Sequence, residues 1–141
     1  MTKKHKVLVV DDETSICEVL EIVLSNAGYT VRTALSVEAA IDLLASENVD
    51  VVLTDLYMDT DRNAGLRLLE HLKSYLPKTP AIMMTAHGSI DTAIEAMRLG
   101  AVDYVQKPFK SNEEMLLRIE RALEKRWLIR ENEAFRTEQA K

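Results

Sequence analysis

Short apolar runs alternate along the chain with segments whose apolar residues recur at helical spacing. Lys6–Val10 (KVLVV) reads as a first strand. Ile16, Val19, Leu20, Val23 and Leu24 then fall at i, i+3, i+4, i+7 and i+8, the stripe of an amphipathic helix. Gly28 stands where a C-terminal cap would close it. Tyr29–Ala34 predicts a second strand, and Ser36 caps a helix with Val37, Ala40, Ile41 and Leu44 on its inner side. Val51–Thr54, Ala81–Met84 and Val102–Gln106 supply strands three to five. Helices are expected between them over Gly65–Tyr75 and Ser89–Leu99, the latter with Ile90, Ala93, Ile94 and Met97 on one face and Gly100 as its stop. Ser111 to Glu114 reads as a capping box that opens a last helix, with Met115, Leu116, Ile119, Ala122 and Leu123 toward the sheet. Wholly apolar strands separated by helices are buried on both faces, so the predicted fold is α/β: one open, doubly wound, five-stranded parallel sheet.

The length of 141 residues with 47% hydrophobic residues matches one domain with one core. Charge sharpens this picture. Residues 1–109 carry 10 basic and 16 acidic groups, a net of −6, whereas 110–141 carry 8 and 7, a net of +1. An acidic globular part argues against direct nucleic-acid contact by this segment. Cys17 is the only cysteine, which excludes an intrachain disulfide framework and suits a reducing compartment. No run approaches the roughly 18 apolar residues of a membrane span, and the N-terminus lacks a signal peptide's apolar region. A cytoplasmic protein without membrane contact is the expectation.

In an open parallel sheet, ligands bind beyond the carboxyl ends of the strands. Asp11, Asp12 and Glu13 follow the first strand, Asp55 the third, Thr85-Ala86-His87-Gly88 the fourth and Lys107-Pro108 the fifth. A single aspartate at a strand end is most often a cap or turn former. This coincidence of carboxylates, a hydroxyl and a lysine on one edge is not explained by capping. Crowded carboxylates need a cation or a shared proton, and Mg²⁺ takes one or two of them and completes its shell with water and phosphate oxygens. The residues therefore describe a metal-assisted phosphoryl site with a carboxylate nucleophile. The four glycines form neither a P-loop nor a dinucleotide fingerprint. His87 has no partner arrangement of a catalytic triad and reads as a loop residue beside the site.

The motifs VLVVDD, VVLTDLYM, MMTAHG and DYVQKPF, in this order and spacing, resemble the response-regulator receiver domain of two-component signalling. The resemblance covers about residues 5–125 and implies a flavodoxin-like sheet with a phosphorylation-dependent switch rather than an enzyme in the ordinary sense. By the resemblance, Asp55 is the phosphoacceptor, supplied by a sensor histidine kinase. Asp12 binds Mg²⁺ directly and Asp11 largely through water, with Asp55 and the backbone carbonyl of Tyr57 completing the protein ligands. Thr85, the Ala86 backbone and Lys107 contact the phosphoryl oxygens, and Lys107-Pro108 is a cis peptide. Thr85 moves and Tyr104 swings inward on phosphorylation, repacking the face of helix four, strand five and helix five. Tyr57 and His87 occupy positions that tune the lifetime of the phosphoryl group. Two alternatives remain at this point. One is a receiver-like interaction module indifferent to phosphate; the other is a haloacid-dehalogenase-like phosphatase, which wants a second aspartate where Tyr57 stands.

The helical pattern after Ser111 extends to about Phe135, and RALEKRWLIRENEAFR resembles the linker that follows the receiver in NtrC-type enhancer-binding transcriptional activators. The expected division is a receiver over 1–125 and a helical linker over 126–141. The linker would lead to an output domain that is not in this sequence and that carries the DNA contacts. Homodimerisation through the helix 4/strand 5/helix 5 face or the C-terminal helix is implied. One segment departs from the family. In DTDRNAGLRLLE, Asp59, Asp61, Asn63 and Glu70 match the ligand spacing of an EF-hand, but Ala64 sits at its glycine position and a strand precedes it. The match is accidental. The segment reads as a receiver's third loop with two extra residues, in which Asp59 and Asp61 add negative charge beside Asp55 and modify metal affinity or kinase choice.

Overall fold

The computed structural model describes residues 5–58, 63–85, 90–107, 109 and 111–124. Five strands, β1 (Lys6–Val10), β2 (Thr30–Ala34), β3 (Val51–Asp55), β4 (Ala81–Thr85) and β5 (Asp103–Gln106), form one parallel sheet in the order β2-β1-β3-β4-β5. The connecting helices are α1 (Thr14–Asn26), α2 (Val37–Ser46), α3 (Ala64–Tyr75) and α4 (Ile90–Arg98), and a last helix, α5, runs over 112–124. The predicted fold is thereby found.

Strand alternation divides the core in two. Val7, Val9, Val51, Leu53, Ile82, Met84 and Val105 join Cys17, Leu20 and Leu24 of α1 and Met115, Ile119 and Ala122 of α5 on one face. On the other face, Leu8, Val10, Val52, Ala81 and Met83 pack with α2, α3 and Ala96 of α4. With both faces covered, β3 and β4 are buried at every position, which is why they open with the unalternating apolar runs VVL and AIMM before their polar ends.

The start of α2, the end of α1 and the start of α5 are closed by local chemistry. Ser36 caps α2, its hydroxyl accepting from the Ala39 N–H at 3.1 Å. After α1, Gly28 adopts φ +100°, its N–H donates to the Ser25 carbonyl and that of Tyr29 to Leu24. This paired arrangement requires a left-handed residue that glycine adopts without steric cost. Only half of the expected box opens α5: the Ser111 hydroxyl accepts from the Glu114 N–H at 3.1 Å. The Glu114 carboxylate turns instead to Arg118, which also holds Asp103 of β5 at 2.7 Å.

Several boundaries and faces move. Tyr29 and Val102 fall outside their strands, whereas Asp55 and Thr85 are the last residues of theirs rather than the first beyond them. On α1 the centre of the buried face is Cys17, Leu20 and Leu24, and Val19 is 54% exposed, because 17, 20 and 24 lie closer to one line at 3.6 residues per turn. Among the described side chains of α4 the buried one is Ala96, while Ile94 and Met97 are exposed and, with Ala93, Arg98 and Tyr104, line an open groove of about 540 Å³. Among the described residues, no helix is long and apolar enough to cross a membrane.

Candidate functional site

Strand register assembles the site. Val10 pairs with Thr54, and the Asp11 N–H continues the ladder by donating to the Ala34 carbonyl at 3.1 Å, so Asp11 and Asp55 end adjacent central strands one step beyond that pair. Asp55 is registered with Met84, and Met84 with Val105. Side chains alternate along a strand, so Asp11, Asp55 and Lys107 share the side of the sheet that faces α1 and α5. Thr85 shares the parity of Met83, which is registered with Tyr104. The pair Thr85 and Tyr104 therefore begins on the opposite side from the carboxylates.

Asp11, Asp55, Thr85 and Lys107 are all buried. The Lys107 ammonium donates to Asp11 Oδ2 at 3.0 Å and to Asp55 Oδ2 at 3.2 Å, with Glu13 Oε1 at 3.8 Å. One carboxylate oxygen from each of Asp11, Asp12, Glu13 and Asp55 can be chosen so that all lie within 4.8 Å of one another. The Glu13 N–H donates to Asp11 Oδ1 at 2.9 Å, and the Cys17 thiol lies 3.4 Å from the Asp11 carbonyl. Backbone bonds fix the strand ends: Leu56 N–H donates to the Met84 carbonyl and Lys107 N–H to that of Thr85.

This geometry sets the electrostatics. Burial, then the charge of Asp11, pushes the Asp55 carboxyl up to about 6, with Lys107 acting in the opposite direction. Burial alone would lower the Lys107 ammonium, but its bonds to Asp11 and the charges of Asp55 and Asp11 outweigh this and raise it. Burial, then Asp11, pushes the Cys17 thiol up to about 11, so it packs as a neutral side chain. Four carboxylates against one ammonium leave an excess of negative charge, and the donor set is oxygen throughout. These residues fit a small hard cation.

The structure brings together Asp11, Asp12, Asp55 and Lys107 as the sequence leads one to expect, with Thr85 at the neighbouring strand end. Tyr57, beside them, is partly exposed, and Tyr104 is half-buried at the groove against α4. Asp59, Asp61, Ala86, His87, the Lys107-Pro108 bond and everything after residue 124 lie outside the described residues. Glu13 joins the acidic group although the expected metal ligands omit it; its signal was its place in the run Asp-Asp-Glu after β1. Gly65 was also missed as part of the site. Its N–H donates to the Leu56 carbonyl, and a Cβ there would stand 2.6 Å from the Asp55 carbonyl oxygen. The EF-hand spacing dissolves, since Ala64 and Gly65 already belong to α3 and Glu70 is exposed on it.

Comparison with known proteins agrees with this arrangement. Residues 7–120 match the family described as "Response regulator receiver domain". The chain is 43% identical over 117 residues to the DNA-binding transcriptional regulator NtrC of Escherichia coli, covering 83% of this chain and 24% of that protein. It thus spans about a quarter of the length of the curated relatives it matches. Among solved structures, NtrX from Brucella abortus in complex with ADP superposes with a TM-score of 0.88 at 34% identity, covering 99% of this chain and 30% of that one. The beryllofluoride-activated NtrC4 receiver domain dimer gives 0.79 at 36% identity, covering 86% and 98%. With the strand order, the acidic group and the buried lysine of the carboxyl edge, these likenesses place the chain in the response-regulator receiver family of two-component signalling, among the receivers of NtrC-type enhancer-binding regulators.

Proposed function

We propose that Asp55 is the phosphoacceptor of this receiver and that its phosphorylation, with Mg²⁺ bound by the acidic group, switches the surface formed by α4, β5 and α5. The observation that carries this reading is the Asp55 carboxylate, buried at a strand end yet bridged through Lys107 to Asp11. One Asp55 oxygen attacks the phosphorus of a phosphohistidine on a sensor kinase; the O–P bond forms as the P–N bond breaks, and the imidazole leaves. With its carboxyl at about 6, Asp55 is mostly ionised at neutral pH and able to attack. Asp11, Asp12, Asp55 and the Tyr57 carbonyl would hold Mg²⁺, which when bound supplies positive charge to neutralise the carboxylates and the incoming phosphoryl oxygens. Lys107 then exchanges its carboxylate partners for phosphoryl oxygens, and Thr85 and the Ala86 N–H donate to the same group.

The switch follows from parity. Thr85 and Tyr104 share one side of the sheet, so drawing Thr85 toward a phosphoryl group at Asp55 frees volume on the side where Tyr104 meets the α4 groove. A dianionic group that makes new charge-assisted contacts favours one of two packings. The exposed Ile94 and Met97 beside Tyr104 suit a homodimer contact through this face, in keeping with the dimeric NtrC4 receiver; the C-terminal helix is the other candidate. Residues 1–125 act as the receiver and 126–141 as the link to a transcription-activating output domain in the cytoplasm. Tyr57 and His87 shield the phosphoryl group from water, and Asp59 and Asp61 adjust metal affinity or kinase choice.

The test is intact mass and oligomer size after incubation with Mg²⁺ and acetyl phosphate, or with a beryllofluoride mimic. A single phosphoryl adduct that is lost in Asp55→Ala is expected; an unmodified wild-type protein would refute the assignment.

A further inference from the structure

Glu13 is at odds with its place in the chain. It is the N-cap residue of α1, yet its side chain makes no capping hydrogen bond. Its carboxylate instead reaches the acidic group, 3.8 Å from the Lys107 ammonium, while 60% of the side chain stays exposed. Asp11 and Asp55, by contrast, are sealed in. The backbone around Glu13 is tied down, since its N–H is bound to Asp11 Oδ1 and its carbonyl accepts from the Ile16 and Cys17 N–H groups. The side chain is thus held at the solvent-facing wall of the site by a fixed main chain.

We propose that Glu13 is a specificity-determining residue of the phosphorylation site: its charge recruits the divalent cation and, by the same sign, screens the site against small anionic phosphodonors. The inference rests on the reading of Asp55 as an Mg²⁺-assisted phosphoacceptor. Its physical basis is sign and distance. A unit charge about 5 Å from a divalent ion in a water-like medium, partly screened by salt, changes the cation's affinity by about three- to tenfold. The same charge opposes a dianionic donor approaching Asp55 from solvent. A phosphohistidine brought by a partner protein is less affected, because the protein surface that carries it contributes its own binding contacts.

Three variants test this. Glu13→Gln keeps size and removes charge, Glu13→Lys inverts it, and Glu13→Asp retains it on a shorter stem. Mg²⁺ affinity is measured by titration calorimetry, and the half-saturating acetyl phosphate concentration is measured with each variant saturated in Mg²⁺. In Glu13→Gln the Mg²⁺ dissociation constant should rise about three- to tenfold and the half-saturating acetyl phosphate concentration should fall about two- to fivefold. Glu13→Lys should exceed both changes, and Glu13→Asp should stay near wild type. All differences should collapse to within about twofold at 1 M salt, where the Debye length is about 3 Å. Mg²⁺ affinity of Glu13→Gln within twofold of wild type at low salt would overturn the inference while leaving Asp55 as acceptor. So would both constants worsening together, or differences that persist at high salt, since either marks Glu13 as a support of the loop rather than a charge. A wild-type protein that binds no Mg²⁺ would overturn both the inference and the reading beneath it.

Discussion

Replacing Gly65 by alanine sets two physical rules against each other. Gly65 lies in the first turn of α3, and helix propensity alone favours alanine there by about 1 kcal/mol. The tertiary structure opposes this. An added Cβ would lie 2.6 Å from the Asp55 carbonyl oxygen, 2.6 Å from Met83 Cε and 2.8 Å from Leu56 Cα. The Met83 methyl can swing aside, but the other two atoms are backbone atoms of Asp55, the last residue of β3, and of Leu56 just after it. Relieving the overlap means moving α3 away from β3, which strains the 3.0 Å bond from the Gly65 N–H to the Leu56 carbonyl. Overpacking costs about 1–3 kcal/mol and the weakened hydrogen bond about 1 kcal/mol. Set against the propensity gain, Gly65→Ala should destabilise the domain by about 1–3 kcal/mol, or roughly 4–12 °C in Tm at this size.

A second consequence separates this variant from an ordinary destabilised one. The displaced peptide carries Asp55, whose oxygen must stay near Lys107, so acetyl phosphate labelling should slow even well below Tm. Gly28→Ala is the control. Gly28 has φ +100° with nothing within 4 Å of an added Cβ, so alanine there costs about 1–2 kcal/mol of backbone strain far from the site, and labelling should be unchanged. Thermal melts and intact-mass time courses on both variants decide the matter. A Gly65→Ala protein that melts above wild type, or labels at the wild-type rate, would refute the close-approach reasoning.

Two further outcomes follow from the site and the caps. In chelator, Asp55→Asn should raise stability at pH 7 by up to about 3 kcal/mol, because a folded-state carboxyl at about 6 against an ordinary 3.8 penalises ionisation of the native protein by that order. For a carboxyl raised on folding the penalty is absent below pH 4, grows between pH 4 and 6 and is complete above. Urea melts across this range should show the gain of the variant vanish at low pH and shrink when Mg²⁺ is added; a gain independent of pH would exclude this cause. Ser36→Ala should cost about 1 kcal/mol by removing the cap on the Ala39 N–H while leaving phosphorylation unchanged, as urea melts and mass spectrometry would show.

The sequence by itself determined the five strands, their order along the chain, the helices between them and the edge on which Asp11, Asp55, Thr85 and Lys107 collect. Each of these rests on local rules: apolar runs for strands buried on both faces, helical spacing, a capping serine, and the placement of functional groups at strand ends. Register and contact were decided only in three dimensions. The pairing of Asp55 with Met84 and of Thr85 with Gln106 sets which side chains share a face of the sheet, and a shift of one residue would reverse every such assignment. The exposure of Ile94 and Met97 was equally illegible, because helical periodicity gives a stripe but not its partner. Gly65 shows the limit most clearly. As a letter in DTDRNAGLRLLE it looked like a displaced calcium-loop glycine, and only the approach of α3 to the backbone of β3 reveals that the absence of a side chain there lets Asp55 keep its place.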